Sequence, residues 1–198
     1  MDIVRRLWRG ESVECDGPAG RRLSVKTLPR PIQPELPFWI TTAGNPETYR
    51  MAAAQGANVL THLLGQSIEE VAEKVRAYRQ AWKDAGHAGQ GRVTLMLHAY
   101  VGRTDDEVRD LVREPMKRYL GSSLNLVKQH AWSFPAFKGR SVSADAPTDE
   151  WLKNLSAADL DALLEHSFDR YFATGSLFGS VATCVAMMRR LGRIGIDE

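Results

Sequence analysis

The residues whose types and spacing suggest chemistry cluster between Thr41 and Gln66. Ala43-Gly44-Asn45-Pro46 reads as a turn that opens a helix. Asn45 suits an N-cap, and Pro46 falls at the first helical position, where its missing N–H costs nothing. A helix start presents free amides with the helix dipole behind them, which makes it a place for an anion such as a phosphate. Gly44, Asn45 and, one turn on, Thr48 are the candidate contacts. The same pattern also describes an ordinary capped helix, the commoner outcome for a motif without structural context. His62 falls at the end of the next apolar run, either as a ligand hydrogen-bond donor or as a packed, backbone-bonded side chain. His98 lies mid-run and reads as packed. No carboxylate or cysteine is spaced to complete a metal set with them. His130, Trp132, Phe134 and Phe137 form an aromatic cluster, either a lid over an apolar substrate or the tack that fixes a long loop to the core. Glu107, Arg109, Asp110 and Arg113 read as a solvated helix face. Cys184, beside Val185 and Met188, reads as core.

Elements that would hold these residues follow from periodicity. Leu36 to Thr42 is a short apolar, β-branched and aromatic run after a proline-rich tether, as a buried parallel strand would be. A helix from Pro46 to Gln55 ends at Gly56, and Asn58 to Leu63 is the next strand. Together they make a βαβ unit, which requires a parallel pair. Ser67 to Ala85 is a helix with Ser67 and Glu70 in a capping box. Val93 to Val101 reads as a third parallel strand. Thr104 opens a helix that Pro115 interrupts or kinks before it resumes to Leu120. Gly121 to Ser156 is irregular and includes an apolar piece, Leu124 to Val127. Ser156 would cap a helix from Ala157 to Ala173. Gly175 to Ser180 reads as a glycine-bearing loop, Val181 to Leu191 as a last helix, and Ile196-Asp197-Glu198 as the approach to a further strand. Upstream, Asp2 to Arg9 is a helical fragment and Val13 to Leu28 a β-hairpin.

The totals narrow the class. The chain has 198 residues, 43% hydrophobic, with a formal net charge of +2. That supports one sizeable core and a single domain over 1–198. Without a dense Lys/Arg block, no nucleic-acid role is expected. Cys15 and Cys184 make neither a metal pattern nor a disulfide framework, so a reducing cytoplasm is the expected setting. No apolar run is long enough to span a bilayer, and no signal peptide is expected. Alternating strands and helices mean α/β, either a (β/α)₈ barrel or an open doubly wound sheet. In both, ligands sit at the C-terminal ends of strands, here Thr41 to Asn45, His62 to Gln66 and Tyr100 to Arg103.

The segment LPRPIQPELPFWITTAGNPETYRMAAAQGANVLTHLLGQ resembles the middle of a luciferase-like flavin monooxygenase, the family of bacterial luciferase and the alkanesulfonate monooxygenases. Within it, the subgroup found with nonribosomal peptide and polyketide assembly lines is the nearest in character. VTLMLHAYVGRTDDEVRDLVREPMKRYLGSSLNLVK and LLEHSFDRYFATGSLFGSVATCVAMMRRLGRIGIDE continue the likeness over nearly the whole chain. The resemblance implies a (β/α)₈ TIM barrel, reduced FMN as cofactor and molecular oxygen as co-substrate. It places Gly44, Asn45 and Thr48 at the flavin phosphate, and Thr41, Thr42, His62 and Gln66 near the flavin or substrate by position. A small-molecule or carrier-bound substrate is expected with it; the absence of a nicotinamide fingerprint makes a partner flavin reductase the expected source of reduced flavin, and open strand edges favour an oligomer. A full barrel has eight strands in about 250 residues. By this resemblance the chain is a C-terminal segment: about strands five to seven with their helices, plus a hairpin, lacking the N-terminal strands and strand eight.

Three readings follow: an FMN-dependent monooxygenase segment completed by further barrel strands; a non-catalytic partial-barrel interaction module with pairing-prone edges; and an α/β domain that binds a phosphorylated metabolite without redox chemistry.

Overall fold

The computed structural model describes residues 1–122 and 157–198. The expectations for Leu124 to Val127, for His130, Trp132, Phe134 and Phe137, and for the Ser156 cap lie outside the described residues.

Helix α1 (Asp2–Trp8) leads into a hairpin of β1 (Val13–Asp16) and β2 (Arg22–Val25), antiparallel as expected, with a 3₁₀ turn at Pro18–Gly20. The parallel part of the fold begins at β3 (Trp39–Thr41), followed by α2 (Pro46–Ala54) and β4 (Asn58–His62). Strands β3 and β4 are parallel and in register from Trp39↔Asn58 to Thr41↔Leu60. The βαβ unit is therefore present, with a shorter first strand than the apolar run suggested.

Helix α3 (Ile68–Asp84) carries the full capping box: the Ser67 side chain accepts from the Glu70 amide, and the Glu70 carboxylate accepts from the Ser67 amide. Its inward stripe of Val71, Val75, Tyr78 and Trp82 is buried against the sheet. Each such side chain contributes about 1.5–3 kcal/mol by leaving water. Strand β5 (Val93–Met96) adds to β4 in parallel, giving the order β3-β4-β5.

The run Val93 to Val101, read as one strand, is two. The last β4–β5 pair is His62↔Met96. Beyond it β4 has ended, so the backbone after Met96 has no strand there to bond. The chain turns through Leu97-His98 into β6 (Ala99–Gly102), which pairs in parallel with β7 (Leu177–Ser180). Strand β7 lies where the sequence suggested a loop; four residues that include a glycine give too short a pattern to read. Among the described residues the strands therefore form three small sheets rather than a closed barrel.

Helix α4 (Asp105–Ser122) runs without a break through Pro115, so of the two expected effects the interruption does not occur. Pro115 is exposed, so water can serve the carbonyl that its missing N–H leaves open. Helix α5 (Ala157–Thr174) packs on α4, and α6 (Val181–Arg193) extends two residues past the expected end. Val108, Val112, Leu120, Phe168, Tyr171 and Phe178 form a second core beside the one under β3-β4-β5. Arg109 and Arg113, read as solvated, belong to this packing. Arg109 pairs with Asp169, Arg113 with Glu165 at 3.2 Å, and both guanidinium groups lie over the Phe168 ring. Cys184 is buried as expected, its Sγ directed at the Leu177 carbonyl, and burial pushes its thiol pKa up. The segment Ile196–Glu198 lies along the outer edge of β5: the Asp197 amide donates to Val93 O at 2.9 Å, and the Leu95 amide to Glu198 O at 2.8 Å.

Asp105 ties the two parts of the second core together. Its carboxylate accepts from the Ser180 amide at 2.6 Å and from the Thr183 hydroxyl at 2.8 Å. A Cβ on Gly179, whose φ is +142°, would lie 2.7 Å from Asp105 Oδ1, so the approach needs glycine. These bonds, led by the one from the Ser180 backbone, hold the carboxyl below its usual pKa. A depressed folded-state pKa contributes stability above the unfolded value, and that contribution is lost as pH falls through the folded value. The expected result is that Asp105→Asn lowers the midpoint of thermal unfolding at neutral pH and narrows the gap to wild type below about pH 4. A gap independent of pH would show that the bonds do not depend on the charge.

Candidate functional site

The C-terminal ends of β3 and β4 bring together most of the residues singled out in the sequence. Asn45 caps α2, its Oδ1 accepting from the Glu47 amide at 3.0 Å. The Thr48 amide donates to Asn45 O at 3.1 Å, and Pro46 has no N–H. The first-turn amides of α2 that were expected to be free are thus largely in use. At this turn Asn45 is exposed, and Gly44 and Thr48 are half-buried. Glu47, whose charge would repel an anion, is paired with Arg50.

A polar chain runs beneath this loop. The Thr61 hydroxyl donates to Thr42 O at 2.8 Å and accepts from Gln66 Nε2 at 3.0 Å; Gln66 Nε2 also donates to His62 O at 2.6 Å. Gln66 Oε1 accepts from Lys74 Nζ at 2.7 Å. Thr42, Thr61 and Gln66 are buried, whereas Thr41 is exposed and outside the chain of bonds. A Cβ built on Gly44 would lie 3.5 Å from Lys74 Nζ and 3.6 Å from Gln66 Oε1. The loop therefore sits directly over the Gln66–Lys74 pair. Of the expected residues, Gly44, Thr42, His62 and Gln66 meet here, with Asn45 and Thr48 on the adjoining helix start.

Two buried polar atoms beside this chain have no hydrogen-bond partner among the described residues, Tyr49 Oη and His62 Nδ1. Burial pushes the Tyr49 phenol pKa up. Thr61 opposes that weakly, but its proton is committed to Thr42 O and no bond of normal geometry reaches Tyr49. Burial likewise lowers the His62 pKa, with the Leu64 backbone acting in the opposite sense, so the imidazole is held toward its neutral form. His98, by contrast, is a packed side chain, as expected. Its Nδ1 is 2.7 Å from the Tyr171 hydroxyl, and its ring stands edge-on to Tyr119.

A cleft of about 190 Å³ opens at the same end of β4, on the far side of Gln66. Leu63, Leu64, Leu120 and Tyr171 give it an apolar lining, and Arg190, paired with Glu69, closes its rim. A larger hollow, about 490 Å³, lies at the opposite end of the sheet between α1, the tether and Trp82. It faces the N-terminal ends of the strands, where parallel α/β folds carry stability rather than chemistry. Among the described residues no cluster of His, Cys, Asp and Glu could hold a metal, and no helix is long and apolar enough to cross a membrane.

Thr61 and Lys74 were not singled out in the sequence. Thr61 shares the buried face of β4 with Val59 and looks like an ordinary strand residue. Lys74 lies three residues from Val71 and four from Tyr78, inside the apolar stripe of α3. A lysine in such a stripe is a signal, but its target, thirty residues upstream, is visible only in three dimensions.

The family model of luciferase-like monooxygenases matches residues 1–198. The oxygenase component of the flavin-dependent trigonelline monooxygenase of Acinetobacter baylyi is 24% identical over 115 residues, covering 58% of this chain and 31% of that protein. Among solved structures, the fold is similar to the oxygenating constituent of 3,6-diketocamphane monooxygenase of Pseudomonas putida, solved with FMN (TM-score 0.61, 17% identity, 98% of this chain and 51% of that one). It is also similar to the coenzyme F420 dependent tetrahydromethanopterin reductase of Methanopyrus kandleri (TM-score 0.66, 16% identity, 98% and 53%). The chain spans about a third of the first of these proteins and about half of the other two.

Proposed function

The chain belongs to the luciferase-like monooxygenase family, and from that premise we propose that it forms the C-terminal half of an FMN-dependent monooxygenase. In this reading β3, β4 and β5 are three consecutive strands of a (β/α)₈ barrel, and further strands complete it on the open side of β3. The observation that carries the proposal is the Gly44 loop at the strand ends, open above a lysine that no carboxylate neutralises among the described residues. Such a place fits a phosphate: a close backbone approach, a hydroxyl at Thr48, side-chain donors at Asn45 and a cation.

Reduced FMN would supply the oxygen-activating chemistry when bound. The chain's own residues would anchor and shelter it. Asn45 fixes the loop through the α2 cap, Thr48 and the Gly44-Asn45 backbone meet the phosphate, and Thr42 and Gln66 hold the strand ends beneath. His62, kept toward its neutral form by burial, offers a hydrogen bond to flavin or substrate without adding a charge. Thr41 is exposed at the strand end, where the same ligand would pass. The apolar cleft beyond Gln66 is the space offered to the organic part of the substrate, walled by leucines that keep water away.

A reductase that delivers reduced flavin, a small or carrier-bound substrate from secondary metabolism, a cytoplasmic location and an oligomeric state complete the proposal. The relative described as an oxygenase component supports the separate reductase.

The F420-dependent neighbour supports a second cofactor reading, and cofactor choice is the test. Equilibrium titration of the protein, with its barrel strands complete, is expected to show binding of FMN in preference to coenzyme F420. Preference for F420 would move the chain to the second reading and remove the monooxygenase assignment.

A further inference from the structure

Among the described residues most half-buried cations are neutralised by carboxylates; Arg5 and Lys74 are not, and Arg5 instead donates to the Gln55 carbonyl at 2.6 Å and lies over the Phe38 ring. Arg79 pairs with Asp197 at 2.6 Å, and Lys117 with Asp161 at 2.7 Å and Glu165 at 3.1 Å. Lys74 is also half-buried, but it makes no ion pair among the described residues; its hydrogen-bond partner is the neutral Gln66 Oε1. Holding a partly desolvated ammonium with only an amide oxygen is costly, and an anion beside it would offset that cost.

Gln66 determines where the ammonium points. It is 6% exposed, and its Nε2 donates to both Thr61 Oγ1 and His62 O. Those two bonds use both amide protons, so Oε1 must face the other way, toward α3. Lys74 Nζ follows it and comes to lie below Gly44, where no side chain intervenes. One donor of the ammonium goes to Gln66 and two remain.

We propose that Lys74 is the charged contact for the anionic group of a ligand held at the Gly44 loop, with Gln66 as its positioning residue. This rests on the reading of that loop as a flavin phosphate site, and it assigns the positive charge to a helix other than the one that carries the loop. Gly44 belongs to the arrangement because its bare backbone leaves room beside the ammonium, where a Cβ would make an ordinary contact with Nζ at 3.5 Å.

The test compares FMN with riboflavin, which lacks the phosphate, by flavin fluorescence titration of the protein with its strands complete. In wild type FMN is expected to bind more tightly than riboflavin. Lys74→Met is expected to weaken FMN roughly 10- to 100-fold, the range for a hydrogen bond to a charged group, and to leave riboflavin within about twofold. Lys74→Arg, which keeps the charge, is expected to retain most of the FMN preference. Gln66→Leu is expected to reduce it, since the ammonium then lacks its guide. Unchanged FMN affinity in Lys74→Met would overturn the proposal. So would equal weakening of both flavins, which would make Lys74 a residue of the fold. If wild type bound neither flavin, the cofactor reading beneath would fail first and take this assignment with it. If wild type preferred FMN while Lys74→Met kept that preference, only the role of Lys74 would fall.

Discussion

Gly91→Ala is expected to destabilise the protein by about 2–5 kcal/mol, the largest loss from any single methyl group in the sheet core. Two costs add. Gly91 has φ +70°, and an L-residue in that region costs about 1–2 kcal/mol. The new Cβ would also lie 2.1 Å from the Tyr78 hydroxyl and 2.8 Å from Trp82 Cε3. Neither ring can give way easily. Tyr78 is fully buried and donates to Ala57 O at 2.9 Å, and the Trp82 indole donates to Ala88 O at 3.1 Å. Overpacking of this kind costs about 1–3 kcal/mol. For a chain of this size that corresponds to a fall in unfolding midpoint of roughly 4–20 °C. Gly89→Ala is the control: its φ is also +70°, but a Cβ there would meet nothing within 4 Å. A loss at Gly91 no larger than at Gly89 would show that the Tyr78–Trp82 wall is not tight.

The second large effect is on the ligand. Asn45→Ala combined with Thr48→Ala is expected to weaken FMN binding roughly 100-fold or more, because hydrogen bonds to a charged group contribute about 1.5–3 kcal/mol each and every 1.4 kcal/mol is tenfold in affinity. Asn45 has a second role as the α2 cap, and its loss should cost about 1 kcal/mol of stability. Thermal unfolding of the variant separates the two effects. Riboflavin should bind the variant as it binds wild type. Unchanged FMN affinity in a folded variant would sink the assignment of this loop to the phosphate.

Much of this was legible because it is local. The Asn45 cap, Pro46 at the first helical position and the Ser67–Glu70 box are written in adjacent residues, and the structure places each as read. The parallel β3–β4 pair follows from the helix between the strands. What was not legible depends on partners distant in sequence. The break between β5 and β6 arises because β4 ends at His62, and β7 is a strand because β6 is beside it. Arg109 and Arg113 look solvated until α5 covers them. At the site, Gly44, Asn45 and Thr48 carry a readable pattern, but Thr61 and Lys74 enter through hydrogen bonds to Gln66 that no spacing in the sequence reveals.

The central claim is that this chain carries the phosphate-holding half of a flavin site and needs further strands to close it. The most direct measurement is a titration of the chain with FMN, followed by flavin fluorescence, alone and after addition of a polypeptide that supplies the N-terminal strands of the family's barrel. The account predicts weak or no binding by the chain alone and saturable binding in the mixture, abolished by the Asn45→Ala, Thr48→Ala pair. Absence of binding in the mixture, with both polypeptides shown to be folded and associated, would contradict it.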